Sequence, residues 1–214
     1  MDGVLVDSEP FHVQAFKILM DELKLDYDDS FVHSFIGHSI KSNIQLINEK
    51  FMQGRELNLE EAVEYRDKLY INLIKQADLQ SLPGIDALIK LCTERGIILA
   101  LASSSTKEQV DVILDKFSAN SRNLRQIFQT IITGDDVKAR KPAPEIYNRT
   151  VKNINVDKQF CLAVEDSPAG VQSAKSAGLK CIALKSIFIP QSQLQSADIL
   201  VDRIDEITAI INLR

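Results

Sequence analysis

Apolar positions in the first third of the chain recur at helical spacing. Phe11, Ala15, Phe16 and Met20 form one stripe. Ile44, Leu46, Ile47 and Phe51 form a second, and Leu59, Ala62, Tyr65, Leu69 and Leu73 a third. This stretch predicts a helical hairpin or small bundle. Ser81-Leu82-Pro83-Gly84 then interrupts the pattern. Beyond it, short apolar runs alternate with amphipathic ones. The spacing predicts a helix over Ile85–Arg95 and a fully apolar strand over Ile97–Ala102. A helix over Thr106–Phe117 follows, with Ser105 and Glu108 spaced as a capping box. Next come a strand at Phe128–Ile132, a helix at Ala143–Val151 and a strand at Phe160–Val164. A helix then opens at Pro168 behind the N-cap Ser167. Strands at Leu179–Leu184 and Asp198–Val201 and a helix at Ile204–Ile211 complete the set.

Apolar strands flanked by helices mean a parallel sheet covered on both faces, an α/β doubly wound core. Ligands in such cores bind beyond the carboxyl ends of the strands. A chain of 214 residues with 45% apolar residues can bury one such core with a large insertion. Lys and Arg number 25 against 30 Asp and Glu, a net charge of −5. That balance gives no general attraction to nucleic acid or an anionic membrane, while a local anion site stays open. The apolar run at 96–102 is too short to cross a bilayer, and the acidic start lacks a signal-peptide pattern. A cytoplasmic protein without an obligate protein partner is expected. Cys92, Cys161 and Cys181 are isolated. Cys161 and Cys181 fall in predicted buried strands and read as structural thiols.

The polar residues after each strand carry the chemistry. Ser103-Ser104-Ser105 follows Ile97–Ala102 directly. A hydroxyl and free backbone N–H groups there suit a phosphoryl oxygen; a turn into the next helix suits Ser103 equally. Lys141, in Lys141-Pro142-Ala143-Pro144, lies between a strand and a helix, with backbone stiffened by the prolines. Its ammonium either reaches the same crevice or is a solvated surface charge. Glu165-Asp166-Ser167 closes another strand. Adjacent carboxylates suit Mg²⁺, which takes one or two carboxylates plus water and phosphate; a helix cap is the bland alternative. Asp2 and Asp7 flank the turn at Gly3. A carboxylate beside a phosphate can act as general acid and then general base.

Taken in order, these segments resemble the motifs of the haloacid dehalogenase (HAD) superfamily: Asp-x-Asp-Gly, then Ser or Thr, then Lys, then a carboxylate pair. Asp7-Ser8-Glu9-Pro10, Leu82-Pro83-Gly84, Lys141-Pro142-Ala143-Pro144 and Glu165-Asp166-Ser167-Pro168-Ala169-Gly170 are similar to the subgroup of β-phosphoglucomutases and phosphoglycolate-type phosphatases. The resemblance covers nearly the whole chain. It implies a Rossmann-like core over 1–10 and 80–214, with a helical cap inserted at 11–79. It also implies a Mg²⁺-dependent phosphomonoester hydrolase that works through an aspartyl-phosphate on a small phosphorylated metabolite. Asp2 would be the acid/base, with its backbone carbonyl on the metal. Ser103 and Lys141 would hold the phosphoryl oxygens, with Gly3 and Ser104 beside them. Asp166, assisted by Glu165, would complete the metal site. From the cap, His12, His38 and Lys41 would contact substrate.

Met1 matches the x of Asp-x-Asp-Gly, so the motif's nucleophile falls immediately before Met1. Two expectations follow. Either the natural protein starts upstream and carries that Asp on an apolar strand, or the chain is a phosphate-binding relative that does not form the aspartyl-phosphate. Among enzymes, the rival is a sugar phosphomutase. Such mutases carry a basic residue where Ile40 stands, which favours hydrolysis. The acidic pair suits phosphate better than a halide. A phospho-receiver domain also uses Asp, Ser/Thr and Lys, but its acidic pair comes early and it lacks a helical insert.

Overall fold

Of the predicted elements, the strand at Phe128–Ile132 stands with the same bounds in the computed structural model, which describes residues 1–119 and 122–212. The chain divides into two compact units, residues 8–78 and residues 1–7 with 79–214.

The first unit is helical: α1 (Glu9–Glu22), α2 (Asp29–His33), α3 (Ile40–Phe51) and α4 (Leu59–Gln76). Helices α2, α3 and α4 start at side-chain caps that accept backbone N–H bonds, Asp28 from Phe31, Ser39 from Ser42, and Asn58 from Glu60 and Glu61. From the predicted stripes Phe16, Met20, Ile44, Ile47 and Ala62 enter a core completed by Leu19, Val32 and Phe35, whereas Leu46 and Tyr65, counted in the stripes, are exposed. Helix α2, a single turn too short to show a period, was not legible in the spacing.

The second unit begins with a turn. The Leu5 N–H donates to the Met1 carbonyl (2.7 Å), and the Leu82 N–H donates to the Leu5 carbonyl (2.9 Å). Helix α5 (Ile85–Glu94) leads to β1 (Leu99–Ala102) and α6 (Lys107–Leu114). A short antiparallel pair, β2 (Ser118–Ala119) and β3 (Arg122–Asn123), precedes α7 (Leu124–Ile127) and β4 (Phe128–Ile132). Then follow α8 (Glu145–Ile154), β5 (Leu162–Glu165), α9 (Pro168–Ser176), β6 (Lys180–Leu184), β7 (Ile199–Val201) and α10 (Ile204–Asn212).

The remaining ladders among the described residues are parallel, β1 with β4 and β5–β6–β7 in that order, and Val6 forms an isolated antiparallel bridge with Ser81. Among the described residues no ladder joins the two groups. Helices α8 and α9 pack on the strands around Ile132, Ile146, Ala163, Val171, Cys181 and Ala183. Each large apolar side chain so buried stabilises the fold by ~1.5–3 kcal/mol. Among the described residues no helix is long and apolar enough to cross a membrane.

Three expectations need correction. Ile97 and Ile98 precede β1 and are exposed, because the Ile97 N–H is used to close α5 on the Cys92 carbonyl (2.8 Å). Phe160 is not in a strand. It ends a 3₁₀ turn capped by Asp157 and is 77% exposed, and Cys161 is only half-buried ahead of β5. Helix α6 is capped by Thr106 with Gln109, not by Ser105 with Glu108. The Thr106 hydroxyl accepts from the Gln109 N–H and the Gln109 side chain accepts from the Thr106 N–H. Continued pairing at the end of β1 sets this register: the Ser103 N–H still donates to the Ile132 carbonyl (2.9 Å), so the helix starts one residue later.

Candidate active site

The carboxyl ends of β1 and β5 are joined by Lys141. Its ammonium donates to the Ala102 carbonyl, the last residue of β1 (3.2 Å), and to Oε1 of Glu165, the last of β5, in a very short ion pair. The two side chains are 10% and 7% exposed, so this is a buried pair. Lys141 is held by a cis Lys141–Pro142 peptide ahead of α8. Its ammonium also lies 5.1 Å from the centre of the Tyr147 ring. The Tyr147 hydroxyl donates to the same Glu165 oxygen, again in a very short bond. Burial, then the Glu165 charge, pushes the Tyr147 phenol well above its usual range, so it stays protonated and a donor.

Ser103 is 3% exposed. Its Oγ accepts from the Ser105 N–H (3.2 Å), which leaves the hydroxyl proton for another acceptor. Ser104 is exposed on the turn. Ser105, released from the capping role, donates its hydroxyl to Oδ2 of Asp2 (2.7 Å). Asp2 and Gly3 therefore lie between the end of β1 and Asp166. Gly3 adopts φ +65°, and a Cβ built there would fall 1.9 Å from Oδ2 of Asp166. Gly3→Ala is accordingly expected to cost about 1–3 kcal/mol in thermal unfolding and to shift Asp166. A melting temperature equal to wild type would show that the close approach is not required.

Asp166 is the electrostatic centre of the site. Burial first, and then the charges of Glu165 and Asp2, raise its carboxyl to about 7, with the Met1 amino group and then Lys141 opposing. A carboxylate held up by burial and by its own neighbours' charge is one that a hard cation would relieve. No group of three or more His, Cys, Asp or Glu forms a ready cage among the described residues. Mg²⁺ takes few carboxylates and fills its shell with backbone oxygen, water and phosphate. Asp166 could supply such a carboxylate, whereas the Glu165 Oε1 is engaged by Lys141 and Tyr147.

Asp2, Gly3, Ser103, Lys141, Glu165 and Asp166 thus come together within one unit. Ser105 and Tyr147 join them without having been singled out. Spacing puts Ser105 in a capping box, and Tyr147 lies inside the predicted helix at Ala143–Val151. His12, His38 and Lys41 belong to the helical unit. There, His38 and Lys41 are exposed. The His12 ring stacks on Tyr70 (centroids 4.1 Å apart), and its Nδ1 meets the guanidinium of the fully buried Arg66.

Residues 1–184 match the family model described as haloacid dehalogenase-like hydrolase. Protein CbbY of Rhodobacter capsulatus is 28% identical over 92% of this chain and 88% of its own length. Hexitol phosphatase B of Escherichia coli is 27% identical over 98% and 92%. Among solved structures, CbbY from Rhodobacter sphaeroides in complex with xylulose-(1,5)bisphosphate superposes with a TM-score of 0.80. It shares 25% identity, over 96% of this chain and 92% of that one.

Proposed function

The chain belongs to the haloacid dehalogenase-like hydrolase family, and from that premise we propose that it is a Mg²⁺-dependent phosphomonoesterase of a small phosphorylated carbohydrate. The observation that carries this reading is the convergence of the Ser103 hydroxyl, the Lys141 ammonium and the Asp2 and Asp166 carboxylates at the ends of β1 and β5. The names of two relatives, a hexitol phosphatase and a phosphorylated carbohydrates phosphatase, support the substrate class.

In the proposed reaction, the carboxylate that the motif puts immediately before Met1 attacks phosphorus. An oxygen–phosphorus bond forms to that carboxylate as the bond to the sugar oxygen breaks. Asp2 gives its proton to the departing oxygen. Asp2, now a carboxylate, takes a proton from water; the water oxygen attacks phosphorus and inorganic phosphate leaves. Ser103 and Lys141 donate to the phosphoryl oxygens as charge shifts onto them. Mg²⁺, held by Asp166 and the Asp2 carbonyl, would supply positive charge against the phosphoryl group. The helical unit would be the cap.

The test is Mg²⁺-dependent hydrolysis of an aryl phosphate by two proteins. One is the 214-residue chain; the other is preceded by an apolar strand ending in Asp. Turnover is expected in the longer protein and background in the shorter. If both fold and bind Mg²⁺ yet neither turns over, the protein is a phosphate-ligand binder and the hydrolase reading fails.

A further inference from the structure

We propose that Asp135 is a positioning residue of the anion site: its carboxylate ties the segment that carries Lys141 to the loop that carries Ser103. The inference rests on the phosphohydrolase reading and adds a residue to it. The two side chains assigned to the phosphoryl oxygens come from different connections, Ser103 after β1 and Lys141 between β4 and α8. Both can donate to one phosphoryl group only if their spacing is held. Lys141 is anchored at the Ala102 carbonyl. The loop that continues from there, Ser103 to Thr106, needs a support of its own.

That support is the 3₁₀ turn Gly134–Asp136, which follows β4 behind the cap Thr133. Pairing between β1 and β4 runs out at the bond from the Ser103 N–H to the Ile132 carbonyl, and the turn carries the contact on. The Gly134 N–H donates to the Ser105 carbonyl (2.8 Å). The two backbones approach so closely that a Cβ on Gly134 would fall 2.3 Å from the Ser104 carbonyl oxygen, so the place suits glycine. Oδ2 of Asp135 then accepts from the Lys107 N–H (2.8 Å). Lys107 is the first residue of α6, and the capping box of Thr106 and Gln109 leaves its N–H for another acceptor. A carboxylate there meets a free donor and the positive end of the helix together. Oδ1 of Asp135 lies 3.8 Å from the guanidinium of Arg140, the residue before Lys141. Those two side chains are 59% and 47% exposed, so that ion pair counts for little. The bond to the Lys107 N–H is what joins the two connections.

The bond can be cut from either side. Asp135→Ala removes the acceptor. Lys107→Pro removes the donor, since proline suits the first helical position and the extended Thr106 (ψ 161°) suits the residue before it. Isothermal titration of the full chain with inorganic phosphate, and separately with MgCl₂, reads the outcome. Each variant is expected to weaken phosphate binding by about threefold to tenfold, the scale of one hydrogen bond to a charged group, and to leave Mg²⁺ affinity within about twofold. Asp135→Asn keeps an acceptor and Lys107→Ala keeps the N–H, so both should bind phosphate nearly as wild type does. The double variant Asp135→Ala/Lys107→Pro should be no weaker than either single one, because both remove the same bond. Phosphate affinity that is unchanged or tighter in Asp135→Ala overturns the proposal, as does a joint loss of phosphate and Mg²⁺ affinity, which marks a merely structural role. Lys107→Ala as weak as Lys107→Pro also overturns it, because the lysine charge and not the N–H would then be at work. A wild-type chain that binds no phosphate overturns the phosphohydrolase reading, and this inference with it.

Discussion

Lys141→Ala is expected to destabilise the folded chain by about 3–5 kcal/mol and to abolish binding of inorganic phosphate. The first effect follows from burial. Lys141 and Glu165 are 10% and 7% exposed and face each other in a very short ion pair. Taking away the ammonium leaves a carboxylate buried with only the Tyr147 hydroxyl as donor. The cost is that of the stranded charge, not of the pair itself. Glu165→Gln in the same background should therefore recover most of the lost stability, because the remaining group is neutral. It should not recover phosphate binding, which needs the positive charge at the end of β1. Urea unfolding and phosphate titration of the three variants separate these effects. Wild-type stability in Lys141→Ala would mean that Glu165 is solvated or protonated there, and wild-type phosphate affinity would remove Lys141 from the site.

Asp166→Asn should weaken Mg²⁺ binding by more than about 100-fold, since even outer-shell partners of a metal ligand cost about 10–100-fold. It should also change how stability responds to pH. The Asp166 carboxyl stands at about 7 in the folded chain, against ~4 for an unperturbed Asp. Between these values the folded state keeps a proton that the unfolded state has released. This group's contribution to stability is therefore fully present below pH ~4 and is lost as pH rises towards 7, by at most ~1.4 kcal/mol per pH unit. The difference between wild type and Asp166→Asn, measured by urea unfolding in EDTA from pH 4.5 to 7.5, should show that slope. Mg²⁺ competes with the same proton, so wild-type affinity should fall as pH drops below 7. Parallel pH curves for the two proteins would mean that the Asp166 carboxyl titrates at its ordinary value.

Much of this site was legible because strand ends are where a doubly wound core must put its ligands. Ser103, Lys141, Glu165 and Asp166 each follow or precede a predicted strand, and the structure gathers them with Asp2. What stayed hidden depended on choices that spacing does not encode. Ser103, Ser104, Ser105 and Thr106 can all cap a helix, and only the extra β1–β4 pairing at Ser103 selects Thr106 and frees Ser105 for Asp2. Tyr147 sits in step with Ile146, Thr150 and Val151 on the buried face of α8, so its pattern is that of core. Its polar tip finds Glu165 across 18 residues of sequence. The exposed Phe160 misled for the opposite reason. An apolar residue beside a strand counts towards its run whether or not the backbone has begun to pair.

The absence of a described ladder between β1 and β5 has a mechanical consequence. Backbone pairing makes each group of strands internally cohesive, whereas the two are joined among the described residues by side chains: the packing of α8 and α9, the Lys141 ammonium, and the Asp2–Gly3 turn set between Ser105 and Asp166. Side-chain contacts of this kind can give way before the ladders do, so opening along this line can be sub-global, one group of strands loosening while the other holds. A cation and a phosphate seated across that line would act as cohesion as well as cofactor and substrate, each adding its binding free energy to the closed state alone.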